Sequence, residues 1–460
     1  MKTVKSHFRF KGGVHPDYNK ELARDKPVER MPVAAELCVS MSQHLGAPAK
    51  CLVKPGDKVA KGQKIGEKNG FISASVFSPA AGTVKAVEKR LTPSGGMADA
   101  VVIDTVPAEG ETLPEEIRFA PLDWKTATRE ELLKRVEEAG ICGMGGAGFP
   151  TAVKLNPSGK RCEYLIINGA ECEPYLTTDF RTMLERADRV RTGVEIMRKI
   201  LGECAVRIAI ENNKPEAIAS VEKAFADIAG NVEIVVLPTL YPHGSEKHQI
   251  YATVGRVGPE PPALPIDVGC VVENVGTAAA IADAVELGVP LTERVTTVSG
   301  DAVAEPKNVL APTGTKYRDL LAFCGGLKEP AAKAISGGTM MGFAVSNLDI
   351  ATTKTTSGLL FLTKKRVFQY GSQPCINCGR CLRACPMNLN PSEISKAVES
   401  DDIKAAEAAH VMDCIECGSC SFGCPSYRTL TQLCRRAKAS IRARMAAEKA
   451  KAAEAAKAAK

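Results

Sequence analysis

Nowhere in the 460 residues does an apolar run reach eighteen, about the length a bilayer-spanning helix needs. The best candidate, residues 266–289, is broken by Asp267, Glu273, Asp283 and Glu286. Carboxylates are costly in hydrocarbon, so no transmembrane segment is expected. The opening MKTVKSHFRFKGG has no apolar core of signal-peptide length. The body of the chain also lacks an excess of either charge. Residues 435–460 hold nine Lys/Arg and two Glu and so carry the whole net charge of +7, leaving 51 basic and 51 acidic residues that cancel. A nucleic-acid partner would require a basic folded surface, and none is expected.

Cysteine, by contrast, is plentiful: there are 17. Eight form two quartets, Cys375, Cys378, Cys381, Cys385 and Cys414, Cys417, Cys420, Cys424, identically spaced and each ending in Cys-Pro. Two-residue gaps let three thiolates of one turn close on three irons. The fourth cysteine of each run, followed by proline, reaches the other cluster, as in bacterial two-cluster ferredoxins. The expectation is therefore two [4Fe–4S] clusters, one held by Cys375, Cys378, Cys381 and Cys424, the other by Cys414, Cys417, Cys420 and Cys385. Zinc would take four ligands in two pairs, a poorer match to two complete quartets. The nine remaining thiols suit a reducing cytosol.

The length of the chain suggests several domains, and six segments are expected. Residues 1–43 read as a turn-rich arm with Gly12, Gly13 and Pro16. Residues 44–127 begin with short strands and tight turns and resemble the barrel-sandwich fold of lipoyl and biotinyl carriers. Phe71 stands about where the carrier lysine would be, so the module is read as structural, with Lys68 keeping the carrier reading alive. Residues 128–289 alternate helix and strand: helix at 129–139, strand at 164–167, helix at 179–201, strand at 206–210, helix at 215–229, strand at 232–237. That order implies right-handed crossovers and a parallel, Rossmann-like sheet. Residues 290–365 suggest a compact β-rich module with one helix at 316–323. Residues 366–434 hold the quartets, with a helical linker that Asn390 can cap, so this ferredoxin-type domain is expected to be mainly α. The tail, 435–460, is a good helix former without a strong apolar stripe. It is expected to be solvated, its basic charge suiting anionic lipid or an acidic partner protein.

Between the first helix and the first strand of the third segment lies Gly143-Met-Gly145-Gly146-Ala-Gly148-Phe149-Pro150. Bare backbone N–H groups in such a loop can approach a phosphate, although the loop follows a helix and so lacks the dinucleotide-binding context. The run Gly145 to Lys154 resembles the FMN loop of the NADH-oxidising flavoprotein subunit of respiratory complex I. Asn168-Gly-Ala-Glu171-Cys172-Glu173-Pro174, Tyr241-Pro-His-Gly244-Ser-Glu246 and Glu273-Asn274-Val-Gly276-Thr277 resemble that family's following motifs, in order. The sequence departs from the pattern at Ala170, Cys172 and Gly276. Over its full length, from Gly-Gly-Val-His-Pro to the Ala/Lys tail, the chain resembles the RnfC family, the C subunits of Rnf electron transport complexes.

That resemblance implies a multidomain α/β protein. Its parts would be the barrel-sandwich module, the complex I-type FMN/NADH domain, a β-grasp (SLBB-like) module and a ferredoxin domain with two clusters. It implies FMN, NAD(H) as substrate, and a translocase-type ferredoxin:NAD⁺ oxidoreductase coupled in its complex to Na⁺ or H⁺ movement. The protein would sit peripherally on the cytoplasmic face of the bacterial membrane. Its partners would be membrane-embedded subunits, among them an iron–sulfur subunit that exchanges electrons with ferredoxin. By motif, Gly143, Gly145, Gly146 and Gly148 would hold the FMN phosphate, with Lys154 beside phosphate or flavin. Asn168, Asn274 and Thr277 would bond the flavin or its ribityl chain. Glu171, Glu173, Tyr241 and Glu246 would line the nicotinamide pocket, and Phe149 would stack on adenine. His243 and His248 are read as bystanders, and His410 as packing near a cluster but out of ligand register. Two other readings compete. One is the flavoprotein subunit of a soluble NAD-dependent hydrogenase or formate dehydrogenase. The other is a non-catalytic scaffold like the related A subunit of the sodium-pumping quinone reductase.

Overall fold

The computed structural model describes residues 1–458 apart from 108, 110, 111, 158, 262, 368 and 369. Its centre is a five-stranded parallel sheet in the order Lys2–Lys5, Val232–Leu237, Ala205–Glu211, Tyr164–Gly169, Cys270–Asn274. Residues 165–167 and 208–210 are buried on both faces, as continuous apolar runs in a covered parallel sheet should be. The periodicity over 179–201 resolves into two helices, Thr178–Glu185 and Ala187–Leu201. Between them Arg186 leaves helical geometry (φ −138°, ψ 30°), and its guanidinium donates to Asp283 at 2.6 Å. Two strands of this sheet have no counterpart in the sequence reading. Lys2–Lys5 is too short and polar to signal itself, and Cys270–Asn274 lies inside the segment weighed as a membrane span.

The N-terminal residues do not form a separate arm. They run across three domains in turn. Lys2–Lys5 pairs with residues 233–236, Val28–Arg30 with residues 308–310, and Glu36–Ser40 with residues 100–104. Between the first two, Val14 bridges Tyr241, and Gly13 N donates to Ala384 O at 3.0 Å. Gly12 (φ +84°) lies so close that a Cβ there would stand 2.5 Å from Cys385 O.

The barrel sandwich pairs a four-stranded sheet (Glu36–Ser40, Met97–Asp104, Gly82–Leu91, Lys58–Val59) with a three-stranded one (Lys50–Cys51, Lys64–Glu67, Val76–Phe77). Val39, Ile65, Val84 and Ile103 fill the space between them. Lys68 is ion-paired with Glu137 of the helix Arg129–Glu138. The β-grasp-like module is a six-stranded mixed sheet that includes Val28–Arg30, with one helix, Tyr317–Phe323. The cluster domain is helical, and Asn390 caps Pro391–Glu399 through a hydrogen bond from Glu393 N. The tail differs from expectation. Leu430–Ala458 is one helix whose first third is not solvated: Leu430, Cys434, Ala437 and Ile441 are buried, the last three against Ile394, Val398 and Val411. Spacings of three and four residues make them one face; the stripe is short, and the Ala/Lys/Arg background hides it. Among the described residues no helix is long and apolar enough to cross a membrane.

Candidate functional site

The glycine loop lies over the carboxyl ends of the parallel strands, where open α/β sheets bind ligands. Gly143 N donates to Phe149 O at 2.9 Å and closes the loop, and Met144 N donates to Thr277 Oγ1 at 3.0 Å. Gly145 rides against Asn274, where a Cβ would come within 2.9 Å of its side chain, whereas a Cβ on Gly146 would meet nothing within 4 Å. Among the described residues, the N–H groups of Gly145, Gly146, Ala147 and Gly148 donate to no protein acceptor. Gly145, Gly146 and Ala147 are exposed, whereas Gly148 is buried against Thr355; unoccupied amides on such an exposed turn are what an anionic phosphate requires. Asn168 and Asn274 stand in register on adjacent strands. Asn274 caps the helix Val275–Glu286 through Gly276 N and donates to Asp179 at 2.7 Å.

The loop is held from behind by groups the sequence reading passed over. Arg294 is buried and donates to Met144 O at 2.9 Å and to Lys354 O at 2.7 Å. Lys354 donates to Ser75 O at 2.6 Å and Gly140 O at 2.8 Å, and Leu45 N donates to Gly148 O. The barrel sandwich thus braces the glycine loop. At the strand ends Lys154 bridges Glu246 (3.0 Å) and Val272 O (2.9 Å). Beside it Glu273 is 2% exposed, with one carboxylate oxygen unpartnered. Burial pushes the Glu273 carboxyl up to about 7, against the pull of Lys154 and with the push of Glu246. Glu273 stands in a motif already singled out, but nothing in that motif marks it as buried.

Glu171, Glu173 and Tyr241 are each held by groups other than Glu246, which pairs with Lys154. Glu171 (φ +44°) accepts from Asp179 N at 2.7 Å, at the start of helix Thr178–Glu185, and pairs with Lys20. Lys20 Nζ also donates to the carbonyls of residues 171, 173 and 176, knitting this turn together from the N-terminal segment. Glu173 accepts from Met340 N (3.0 Å) and Met341 N (2.9 Å) of the β-grasp-like module, and burial pushes its carboxyl up to about 7. Tyr241 is wholly buried, and its hydroxyl donates to Cys417 O at 2.7 Å. Phe149 is half-buried. His243 and His248 are buried under Phe10, and a His248 ring nitrogen lies 3.2 Å from Pro386 O.

The two quartets are alike in backbone as well as in spacing. Asn377 and Glu416, Gly379 and Gly418, and Asn388 and Tyr427 are equivalent pairs, and every member has positive φ. In each repeat the turn aims an amide at the leading cysteine: Asn377 N donates to Cys375 Sγ and Glu416 N to Cys414 Sγ, both at 3.4 Å. One cavity is lined by Cys375, Cys378, Cys381 and Cys424, the crossed set expected from sequence. Cys385 is buried near Cys414, Cys417 and Cys420; burial pushes the Cys417 thiol up to about 11 and that of Cys420 to about 12, the neighbouring thiolates adding to it. Among the described residues no three His, Cys, Asp or Glu converge closely enough for a single ion, whereas a four-iron cluster puts each thiolate on a different iron. The donors present are thus those two cubanes need. The sets differ in exposure. Cys378 and Ile376 are open to solvent, whereas Cys385, Cys417 and Cys420 are buried. The buried set faces the parallel-sheet domain through Tyr241, Gly12 and His248.

Family models match along the chain: an RnfC barrel sandwich hybrid domain over residues 8–106, a Nuo51 FMN-binding domain over 136–283, an SLBB domain over 295–344, and a 4Fe-4S dicluster domain over 369–445. The C subunit of the proton-translocating ferredoxin:NAD(+) oxidoreductase complex of Clostridium ljungdahlii is 47% identical, covering 96% of each chain. Its counterpart in the Na(+)-translocating ferredoxin:NAD(+) oxidoreductase complex of Acetobacterium woodii is 41% identical over 95% of this chain and 97% of its own. The C subunit of the ion-translocating oxidoreductase complex of Rhodobacter capsulatus is 40% identical over 88% and 78%.

Proposed function

The chain belongs to the family of C subunits of the ion-translocating oxidoreductase complexes, and from that premise we propose that it is the NADH- and FMN-binding component of a ferredoxin:NAD⁺ oxidoreductase. It moves electrons between NAD(H), FMN and two [4Fe–4S] clusters, in a complex that couples this transfer to Na⁺ or H⁺ translocation. It works peripherally at the cytoplasmic face of a bacterial membrane, with membrane-embedded partners and an iron–sulfur subunit that exchanges electrons with ferredoxin. Bound FMN would exchange a hydride with NAD(H) and single electrons with the clusters, a conversion the cofactor itself supplies.

The protein's part is positional. Gly143, Gly145, Gly146 and Gly148 offer amides to the phosphate. Asn168, Asn274 and Thr277 order the strand ends where the flavin would lie. Lys154, held by Glu246, puts a cation at the same edge, and Phe149 flanks the entrance. Glu171, Glu173 and Tyr241 fix the turn after Asn168 and the approach of the cluster domain. The observation that carries the reading is the hydrogen bond from Tyr241 to Cys417 O. It joins the domain matching the FMN-binding family directly to a cluster ligand. The buried quartet is then the inner relay and the exposed quartet, with Cys378 at the surface, the outer one.

Oxygen-free purification of the full chain tests this. About eight irons, matching sulfide and one flavin per chain are expected, from two four-iron clusters and one FMN, with the iron–sulfur absorbance bleached by NADH. Clusters with no flavin and no NADH oxidation would leave the scaffold reading standing and overturn this one.

A further inference from the structure

The terminal helix Leu430–Ala458 does more than close the cluster domain. Thr431, Cys434 and Lys438 fall three and four residues apart, on one face, and all three are buried. Thr431 Oγ1 lies 3.8 Å from Cys420 Sγ. Lys438 Nζ donates to Cys414 O at 2.7 Å and pairs with Glu416, whose own amide points at Cys414 Sγ. Cys434, 1% exposed, lies between these two contacts on the helix, in the apolar cluster against which Cys414 packs.

The internal repeat supplies a comparison. At the offset that relates the quartets, Thr431, Cys434 and Lys438 correspond to Ser392, Ser395 and Glu399 of the helix beside the exposed quartet. Ser392 Oγ lies 3.6 Å from Cys375 Sγ, so the first position is preserved. Ser395, however, turns its hydroxyl to Ser392 O at 2.8 Å, and Glu399 replaces the lysine and pairs with Arg428. At these helix positions the buried quartet has a thiol and a lysine where the exposed one has a serine turned away and a glutamate, and the cation beside the exposed quartet, Arg428, is paired with that glutamate.

We propose that the Thr431–Cys434–Lys438 face of the terminal helix sets the reduction potential of the cluster held by Cys385, Cys414, Cys417 and Cys420, holding it above the value its burial alone would give. A cluster gains negative charge on reduction. Donors aimed at its sulfurs and a nearby cation stabilise the reduced form, and hydrogen bonds, net charge and solvent exposure are the levers on such potentials. These three are positioning residues, acting through the cysteine ligands. The inference rests on the two-cluster reading above.

The experiment is electron paramagnetic resonance-monitored redox titration of the anaerobically purified full chain. Cys378→Ala assigns the exposed cluster's signal. Lys438→Met and Cys434→Ala are each expected to lower the midpoint of the buried cluster while leaving that of the exposed cluster in place. Should either variant lose iron from the buried quartet, Thr431→Val, which exchanges a hydroxyl for a methyl of similar size, is judged by the same criterion. A buried-cluster midpoint that does not move, or two midpoints that move together, would overturn the proposal. Absence of both cluster signals from the unmodified protein would instead overturn the functional reading beneath it.

Discussion

Gly145 and Gly146 are neighbours with different reasons to be glycine. A Cβ on Gly145 would strike Asn274, whereas one on Gly146 would meet no protein atom. Gly146→Ala should therefore leave the unfolding free energy within about 0.5 kcal/mol of the parent yet weaken FMN binding by about tenfold or more. Unfolding curves beside a flavin titration check this, and an unchanged flavin affinity would remove the glycine loop from the site. Glu273 predicts a pH effect. Burial raises its carboxyl to about 7 in the folded protein, against about 4.3 in an unfolded chain. The folded state then holds a proton the unfolded state has released. The resulting stabilisation is complete below about pH 4 and is lost as pH rises towards 7, amounting to about 4 kcal/mol. Glu273→Gln cannot ionise, so its stability relative to the parent should rise between pH 5 and pH 8, as denaturant titrations at the two values would reveal. An equal difference at both would mean Glu273 does not carry that shift.

Among the elements, the terminal helix divides at about residue 445. Ala437, Lys438 and Ile441 are buried, whereas Met445 is exposed. A chain ending after Met445 should keep the iron of both clusters. One ending at Arg436 should lose the buried quartet's iron and, with Ile441 alone worth about 1.5–3 kcal/mol of burial, part of the domain's stability. Iron-to-protein ratios of the two truncations decide it. How well each element could be read in the sequence follows from where its information lies. The inner strands of the parallel sheet announce themselves as apolar runs. The crossed quartets follow from spacing, because cluster chemistry fixes the ligands more tightly than packing does. Lys2–Lys5 was hidden because an edge strand of four residues borrows its stability from residues 233–236 rather than from its own composition. Lys20, Arg294 and Lys354 were hidden for a related reason. A buried cation that satisfies distant carbonyls leaves no local pattern, and only the tertiary fold makes its position intelligible. Tyr241 was legible as a motif residue, yet its hydroxyl meets a cysteine carbonyl 176 residues away.

At the scale of the molecule, the first forty residues are the binding thread. They add a strand to the parallel sheet, another to the β-grasp-like sheet and a third to the barrel sandwich, with Gly12 pressed on Cys385 between them. Gly12→Val would put a side chain at positive φ into that carbonyl. It should loosen the cluster domain without removing a ligand: limited proteolysis should cut ahead of Cys375 faster, while total iron stays at the parent value. The same thread has a consequence for biosynthesis. Translation makes residues 2–5 well before their strand partner at 233–236, Val28 well before residues 308–310, and Gly12 well before Cys385, on which it packs. The strand at residues 2–5 must wait, unpaired, until residues 233–236 have followed it, and Gly12 until Cys385 has. Completion of the cluster domain is thereby coupled to the settling of residues made long before it.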